Sequence, residues 1–209
     1  MSLAALQFGS NLLQNIEWTP RIYMNICLFS VFVIEMFDQQ PNSSKDKIQS
    51  GDDFPFDLQQ EIVEAGLGMG MFVFHFWKYH PILKGKPLSY REIISFTSII
   101  IGFIFRKYCK IHLGRFFTYS ITVKNDHKII NTGPYGIVRH PSYSGALMMH
   151  WGYGFWFNNP LSYLVFNVGI LNFMRTRIPK EEQILRDNTD GEYIQYSKNV
   201  PYRLIPYIY

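Results

Sequence analysis

HPSYSGALMMHWGYGFWFNNPLSYLVFNVGILNFM, His140 to Met174, is the stretch on which the fold turns. It contains no Asp, Glu, Lys or Arg, and Asn158-Asn159-Pro160 falls near its middle. Two apolar runs divided by an Asn-Asn-Pro break predict a helical hairpin, since such a cluster punctuates periodic segments and proline does not continue a helix. Charge reappears at once on either side, at Arg139 before the stretch and at Arg175 and Arg177 after it.

Outward from the hairpin, three further apolar blocks lie upstream. Ile22 to Phe37 is interrupted by Asn25 and Glu35. Ile62 to Trp77 has no Lys or Arg and is rich in Gly, Met and Phe, as close-packed membrane helices are, with Glu64 near its start to face a bundle interior or water. Ile93 to Phe105 is free of charge but shorter than the roughly 20 residues that cross hydrocarbon, so Tyr90 and Tyr108 are expected to extend it. The distribution predicts an all-α, multi-pass transmembrane helical bundle of about five to six spans, one domain over 1–209, with the hairpin at its C-terminal end.

Composition agrees with lipid contact: 47% of the 209 residues are hydrophobic and 17% aromatic. The net charge of +4 sits mainly in short segments flanking apolar blocks, the pattern of membrane-adjacent loops, so nucleic acid is not expected as a partner. Cys27 and Cys109 lie in or beside different blocks and make no metal-binding spacing, which predicts buried thiols without a disulfide framework or a metal site. The first 20 residues lack a basic n-region, so targeting is expected to fall to the first span. Asp38 to Glu61 reads as an acidic loop with a glycosylation sequon at Asn42-Ser43-Ser44. Arg106 to Pro141 carries seven Lys/Arg against Asp126 and is expected on the cytoplasmic side, although the connector Lys78 to Arg91, one block away, is basic too. A hairpin that enters and leaves on one side puts that basic segment and the C-terminal tail on the same face.

Residues suited to chemistry gather at the hairpin's two ends. Before it stand His127-Lys128-Ile129-Ile130, Gly133-Pro134-Tyr135 and Arg139-His140-Pro141-Ser142-Tyr143, then Gly145. Taken singly, these are ordinary turn and interface residues. Together they hold more, because Pro141 keeps His140 extended, just outside a helix whose first N–H groups lack partners, a place suited to an anionic ligand. After the hairpin come Arg175, Arg177, Glu181 and Glu182. Arg177 and Glu181 are spaced as a surface i,i+4 pair, but Pro179 argues against one uninterrupted helix through them. A carboxylate here can bind an amino or ribose group, and an arginine fork can hold an anionic substrate.

HKIINTGPYGIVRHPSYSG, His127 to Gly145, resembles the motif elements of the isoprenylcysteine carboxyl methyltransferases. Asn159-Pro160, RIPKEEQIL from Arg177 to Leu185 and GEYIQYSKNVP from Gly191 to Pro201 follow at similar spacing. The resemblance covers roughly the last 100 residues; Tyr119 and Asp190-Gly191 depart from the family's usual histidine and Phe-Gly. It implies an enzyme of the endoplasmic reticulum membrane, its active site toward the cytosol, that uses S-adenosylmethionine to methylate the C-terminal carboxylate of a prenylated cysteine. It implies that residues 106–209 form the cofactor-binding and catalytic part. His127, Lys128, Ile129, Ile130, Tyr135, His140, Pro141, Ser142, Tyr143 and Glu181 would then contact the cofactor. Arg177 and Arg175 would face the prenylcysteine substrate, with Arg177 and Glu181 as the catalytic pair. Other readings stay open: a phospholipid or small-molecule methyltransferase, a non-catalytic scaffold, or a sterol-reductase-like NADPH enzyme, whose tail VPYRLIPYIY resembles more closely.

Overall fold

The computed structural model describes residues 20–38, 70, 86–117 and 128–208. The acidic loop with Asn42, the block Ile62 to Trp77 apart from Gly70, Tyr119 and His127 lie outside the described residues. Within them the regular structure is helical throughout: α1 (Pro20–Asp38), α2 (Tyr90–Leu113), α3 (Pro141–Trp156), α4 (Pro160–Asn188) and α5 (Glu192–Asn199), with short 3-10 turns at Gly114–Phe116 and Gly133–Gly136.

α2 begins where Ser89 and Glu92 close a reciprocal capping box, the serine accepting from the Glu92 N–H and the glutamate from the Ser89 N–H, so two otherwise unpaired donors are satisfied at once. Glu92 also accepts from Arg21 of α1, Nε–Oε1 at 2.5 Å and Nη2–Oε2 at 3.1 Å, which pins the start of α1 to the start of α2. The Ile93–Phe105 run thus lies inside a longer helix, as the flanking tyrosines predict.

The hairpin forms at the expected break. α3 ends at Trp156, its terminal carbonyls receiving Arg91 Nη1, at 3.0 Å for Trp156 O. Asn159 caps α4 by accepting from the Leu161 N–H at 3.0 Å, with Pro160 in the first turn where its missing N–H costs nothing. α2 and α3 meet backbone to backbone: a Cβ on Gly145 would lie 2.9 Å from both Gly102 O and Arg106 Cβ, and only glycine permits that approach.

One expectation is overturned. α4 runs without interruption through Pro179 to Asn188. Proline forgoes one helical hydrogen bond, a cost of about 3 kcal/mol, yet Ile178 and Glu182 on either side are fully buried and hold the helix by packing and ion pairing. Pro179 itself faces outward.

Three apolar clusters line the hairpin. Leu28, Val31, Ile99, Tyr153, Trp156 and Phe166 fill the end near the Asn-Asn-Pro turn. Ala146, Leu147, Met174, Ile178 and Leu204 fill the opposite end. Beyond that end Tyr193, Tyr196 and Val200 pack with Ile129 and Leu185. Leu204 and Val200 belong to the C-terminal tail, which therefore forms part of the core. Among the described residues no helix is long and apolar enough to cross a membrane. Cys109 is buried and Cys27 half-buried, both as free thiols.

Candidate functional site

At the end of the hairpin opposite its turn, the first turn of α3 and the latter half of α4 face each other. The Tyr143 hydroxyl sits between them. It donates to Glu181 Oε2 at 2.8 Å and accepts from Arg177 Nε at 2.7 Å, so residues 34 and 38 positions away are joined through one oxygen. The Arg177 guanidinium also lies over the Phe173 ring at 5.4 Å, which limits its swing. The His140 ring stacks on Tyr143 at 5.7 Å, with Nδ1 3.9 Å from Glu181 Oε1. Four sequence-predicted residues thus form one group, and the carboxylates beside His140 are the chain's own, where the sequence suggests an anionic ligand.

Glu182 organises this group from behind. Its side chain is 1% exposed and receives Arg139 Nε at 2.8 Å, Arg203 Nη2 at 2.8 Å, His140 Nε2 at 3.4 Å and Arg186 Nη2 at 3.4 Å. Burial on its own raises the carboxyl pKa, but the hydrogen bonds from His140, Arg203 and Arg139 outweigh it and the net shift is well downward. Glu182 is therefore an ionised buried carboxylate that ties the approach to α3 and the C-terminal tail to α4.

The tail is also fixed by its backbone. The Arg139 and His140 N–H groups donate to Tyr202 O and Arg203 O at 2.9 and 2.8 Å. Ser144 Oγ donates to Leu204 O at 2.6 Å, and Arg139 Nη1 to the carbonyls of Val200 and Pro201, both at 2.8 Å.

The remaining predicted residues fall in several settings. Tyr135 is buried, its hydroxyl donating to Cys109 O at 3.3 Å and its carbonyl accepting from Tyr196 at 2.7 Å; burial pushes both phenols upward in pKa. Pro141 and Ser142 are buried in the first turn of α3, where Ser142 accepts from Arg106 Nη1 at 2.9 Å on Oγ and 3.0 Å on its carbonyl. Arg106 in turn pairs with Glu35 of α1 at 2.9 Å, and Lys110 joins the same carboxylate at 3.3 Å. Ile129 packs against the α5 cluster, Ile130 is half-buried, and Lys128 and Arg175 are exposed.

Sequence reasoning names Arg139 within the string before the hairpin and Glu182 within the charged cluster after it, without a site role for either, and gives none to Arg203 or Arg106. Their signal is burial with partners far along the chain, which no local pattern carries.

Residues 93–187 match the family described as isoprenylcysteine carboxyl methyltransferase (ICMT) family. The protein-S-isoprenylcysteine O-methyltransferase B of Arabidopsis thaliana is 40% identical over 107 residues, covering 50% of this chain and 54% of the relative. A probable protein-S-isoprenylcysteine O-methyltransferase of Oryza sativa subsp. indica is 36% identical over 117 residues, covering 55% and 61%. The matches thus span little more than half the length of these curated relatives. The eukaryotic intramembrane Ras methyltransferase ICMT shares the fold, with a TM-score of 0.65 at 24% identity over 88% of this chain and 68% of that one. Over residues 93–187 the chain is similar to the isoprenylcysteine carboxyl methyltransferase family, and the motifs from His127 to Gly145 and from Arg177 to Leu185 are where its own sequence places that likeness.

Proposed function

We propose that the chain is an S-adenosylmethionine-dependent methyltransferase that esterifies the C-terminal carboxylate of a prenylated cysteine at the cytosolic face of the endoplasmic reticulum membrane. The observation that carries this reading is the Tyr143 hydroxyl shared by Arg177 and Glu181, within a stretch similar to enzymes named for that reaction. It joins a group suited to an anionic acceptor with a group suited to a cationic donor.

The residues present fit such a cofactor. Glu181 keeps 30% of its side chain exposed, so one carboxylate can accept from amino or ribose donors while it holds Tyr143. The stacked His140 and Tyr143 rings give a flat wall beside it. Lys128, Ile129, Ile130 and Tyr135 would border the same place, with His127 beside them in sequence. Pro141 and Ser142 set the backbone of the turn that carries His140 and Tyr143. S-adenosylmethionine, when bound, supplies a methyl group on a sulfonium centre.

An α-carboxylate has a reference pKa near ~3.5 and is already ionised at neutral pH, so no general base is required. The task left to the protein is placement, and alignment of reacting atoms contributes several kcal/mol. Arg177, held by Tyr143 and Phe173, orients the acceptor carboxylate; Arg175 lies exposed two residues earlier and meets the acceptor peptide. A tighter clamp on the ground state would not speed transfer, so the benefit of Arg177 lies in geometry.

Membrane embedding as a multi-pass bundle is supported by the surface. Ile94, Ile101, Ile104 and Ile111 on α2, and Leu161, Leu164, Val168 and Leu171 on α4, form exposed apolar stripes. Such stripes suit a lipid environment better than water. The ions Glu35, Arg106 and Lys110 are meanwhile turned inward and paired. A prenyl chain can then approach laterally while the soluble cofactor arrives from the cytosol.

The test uses purified protein in mild detergent with radiolabelled S-adenosylmethionine and a farnesylated cysteine analogue, followed by base treatment. Base-labile label in the acceptor is expected. Cofactor binding with no transfer to farnesyl or geranylgeranyl acceptors would assign another methyl acceptor, and tight NADPH binding without S-adenosylmethionine binding would replace the reading with a reductase.

A further inference from the structure

We infer that Arg203, in the C-terminal tail, is a positioning residue for the donor half of this site. It rests on the methyltransferase reading for what the site binds, but its structural content stands apart from it. Arg203 takes part on both sides of the joint. Its carbonyl accepts from the His140 N–H at 2.8 Å, while its guanidinium holds both oxygens of Glu182, Nη2–Oε2 at 2.8 Å and Nε at 3.2 and 3.3 Å.

The two contacts act on the two elements that must face each other. His140 leads into the first turn of α3, which carries Tyr143; Glu182 adjoins Glu181 on α4. A residue that grips both sets the distance between the Tyr143 hydroxyl and the Glu181 carboxylate, now 2.8 Å. A planar fork meeting two carboxylate oxygens fixes orientation as well as distance, which a lysine point charge does not.

Glu182 retains Arg139, His140 and Arg186 when Arg203 is shortened, so the buried carboxylate stays paired. Loss of the Arg203 side chain should loosen the joint without leaving a bare charge. The effect falls on the donor side, because Arg177 keeps its contact with Phe173 of its own helix when the turn that carries Tyr143 loosens, whereas the Tyr143–Glu181 bond spans the two elements.

Arg203→Ala and Arg203→Lys are compared with the wild type in the full-length protein in detergent, by hydrogen exchange and by kinetics. In Arg203→Ala, exchange at the amides of Arg139, His140 and Ser142 to Ser144 is expected to quicken by about tenfold, with the amides of α2 unchanged, as a local opening requires. KM for S-adenosylmethionine should rise about tenfold while KM for the farnesylcysteine acceptor stays put, and Arg203→Lys should fall between. A variant that is only less stable lowers the active fraction and leaves both KM values alone; that pattern, or unchanged exchange at 139–144, overturns the inference. If the wild type transfers no methyl group yet Arg203→Ala quickens exchange at 139–144 alone, the activity reading fails and the positioning role stands.

Discussion

Replacing Glu182 by glutamine keeps its shape and removes its charge, and the structure sets the size of the result. The wild-type carboxylate is 1% exposed and faces Arg139 and Arg203, each at 2.8 Å, with His140 and Arg186 at 3.4 Å. Breaking a buried ion pair on one side costs roughly 3–5 kcal/mol, because the partner charge is left behind. Glutamine retains one oxygen acceptor and Arg139 keeps its tail carbonyls, so the lower end applies, about 3 kcal/mol. For a chain of this size that is a fall of roughly 6–12 °C in the melting midpoint. The pH dependence has a definite sign. The folded carboxyl pKa lies well below its ordinary value, so near and below pH ~4.3 the unfolded chain binds a proton that the folded one does not. The stability Glu182 contributes is complete above that pH and is lost as pH falls through the folded value. The wild-type advantage over Glu182→Gln should therefore be flat from about pH 8 to 6 and shrink below pH ~4.3, read by thermal melts of both proteins in the same detergent. A midpoint within about 2 °C of the wild type at pH 7, or an advantage that grows on acidification, would refute the assignment of Glu182 as the ionised hub.

Tyr143→Phe removes the hydroxyl between Arg177 and Glu181 while keeping the His140 stack; kcat/KM is expected to fall by about ten- to a hundredfold with only ~1 kcal/mol lost in stability, checked by steady-state kinetics beside a melt. Arg177→Lys keeps the charge and loses the fork, so turnover at saturating acceptor should drop with little change in KM for the methyl donor; equal values in wild type and variant would remove Arg177 from acceptor placement. Glu181→Gln should show the reverse split, with a raised KM for the donor, measured by isotherms or kinetics. Gly145→Leu drives a side chain into the crossing with α2, where even a Cβ lies 2.9 Å from Gly102 O, and should cost at least ~1–3 kcal/mol in a denaturant melt.

The motif strings were legible in the chain because each is local: a charge-free run, an Asn-Asn-Pro break and a His-Pro pair before it require only neighbours along the sequence. Local pattern misled at Pro179, where burial of Ile178 and Glu182 outweighs the lost helical hydrogen bond. Spacing alone makes Arg177 and Glu181 an i,i+4 couple, and that Tyr143 joins them from across the hairpin is a contact no local pattern carries.

The sequence by itself determined the hairpin, the apolar blocks that became α1 and α2, and the strings similar to a methyltransferase family, since hydropathy, turn chemistry and motif spacing are short-range properties. Only the tertiary structure decided which charges are buried and with whom. Arg139 and Arg203 lie 43 and 21 residues from Glu182, and they meet there because the tail packs Val200 and Leu204 into the core. A carboxylate removed from water demands every donor within reach, and that demand is met by folding, not by adjacency.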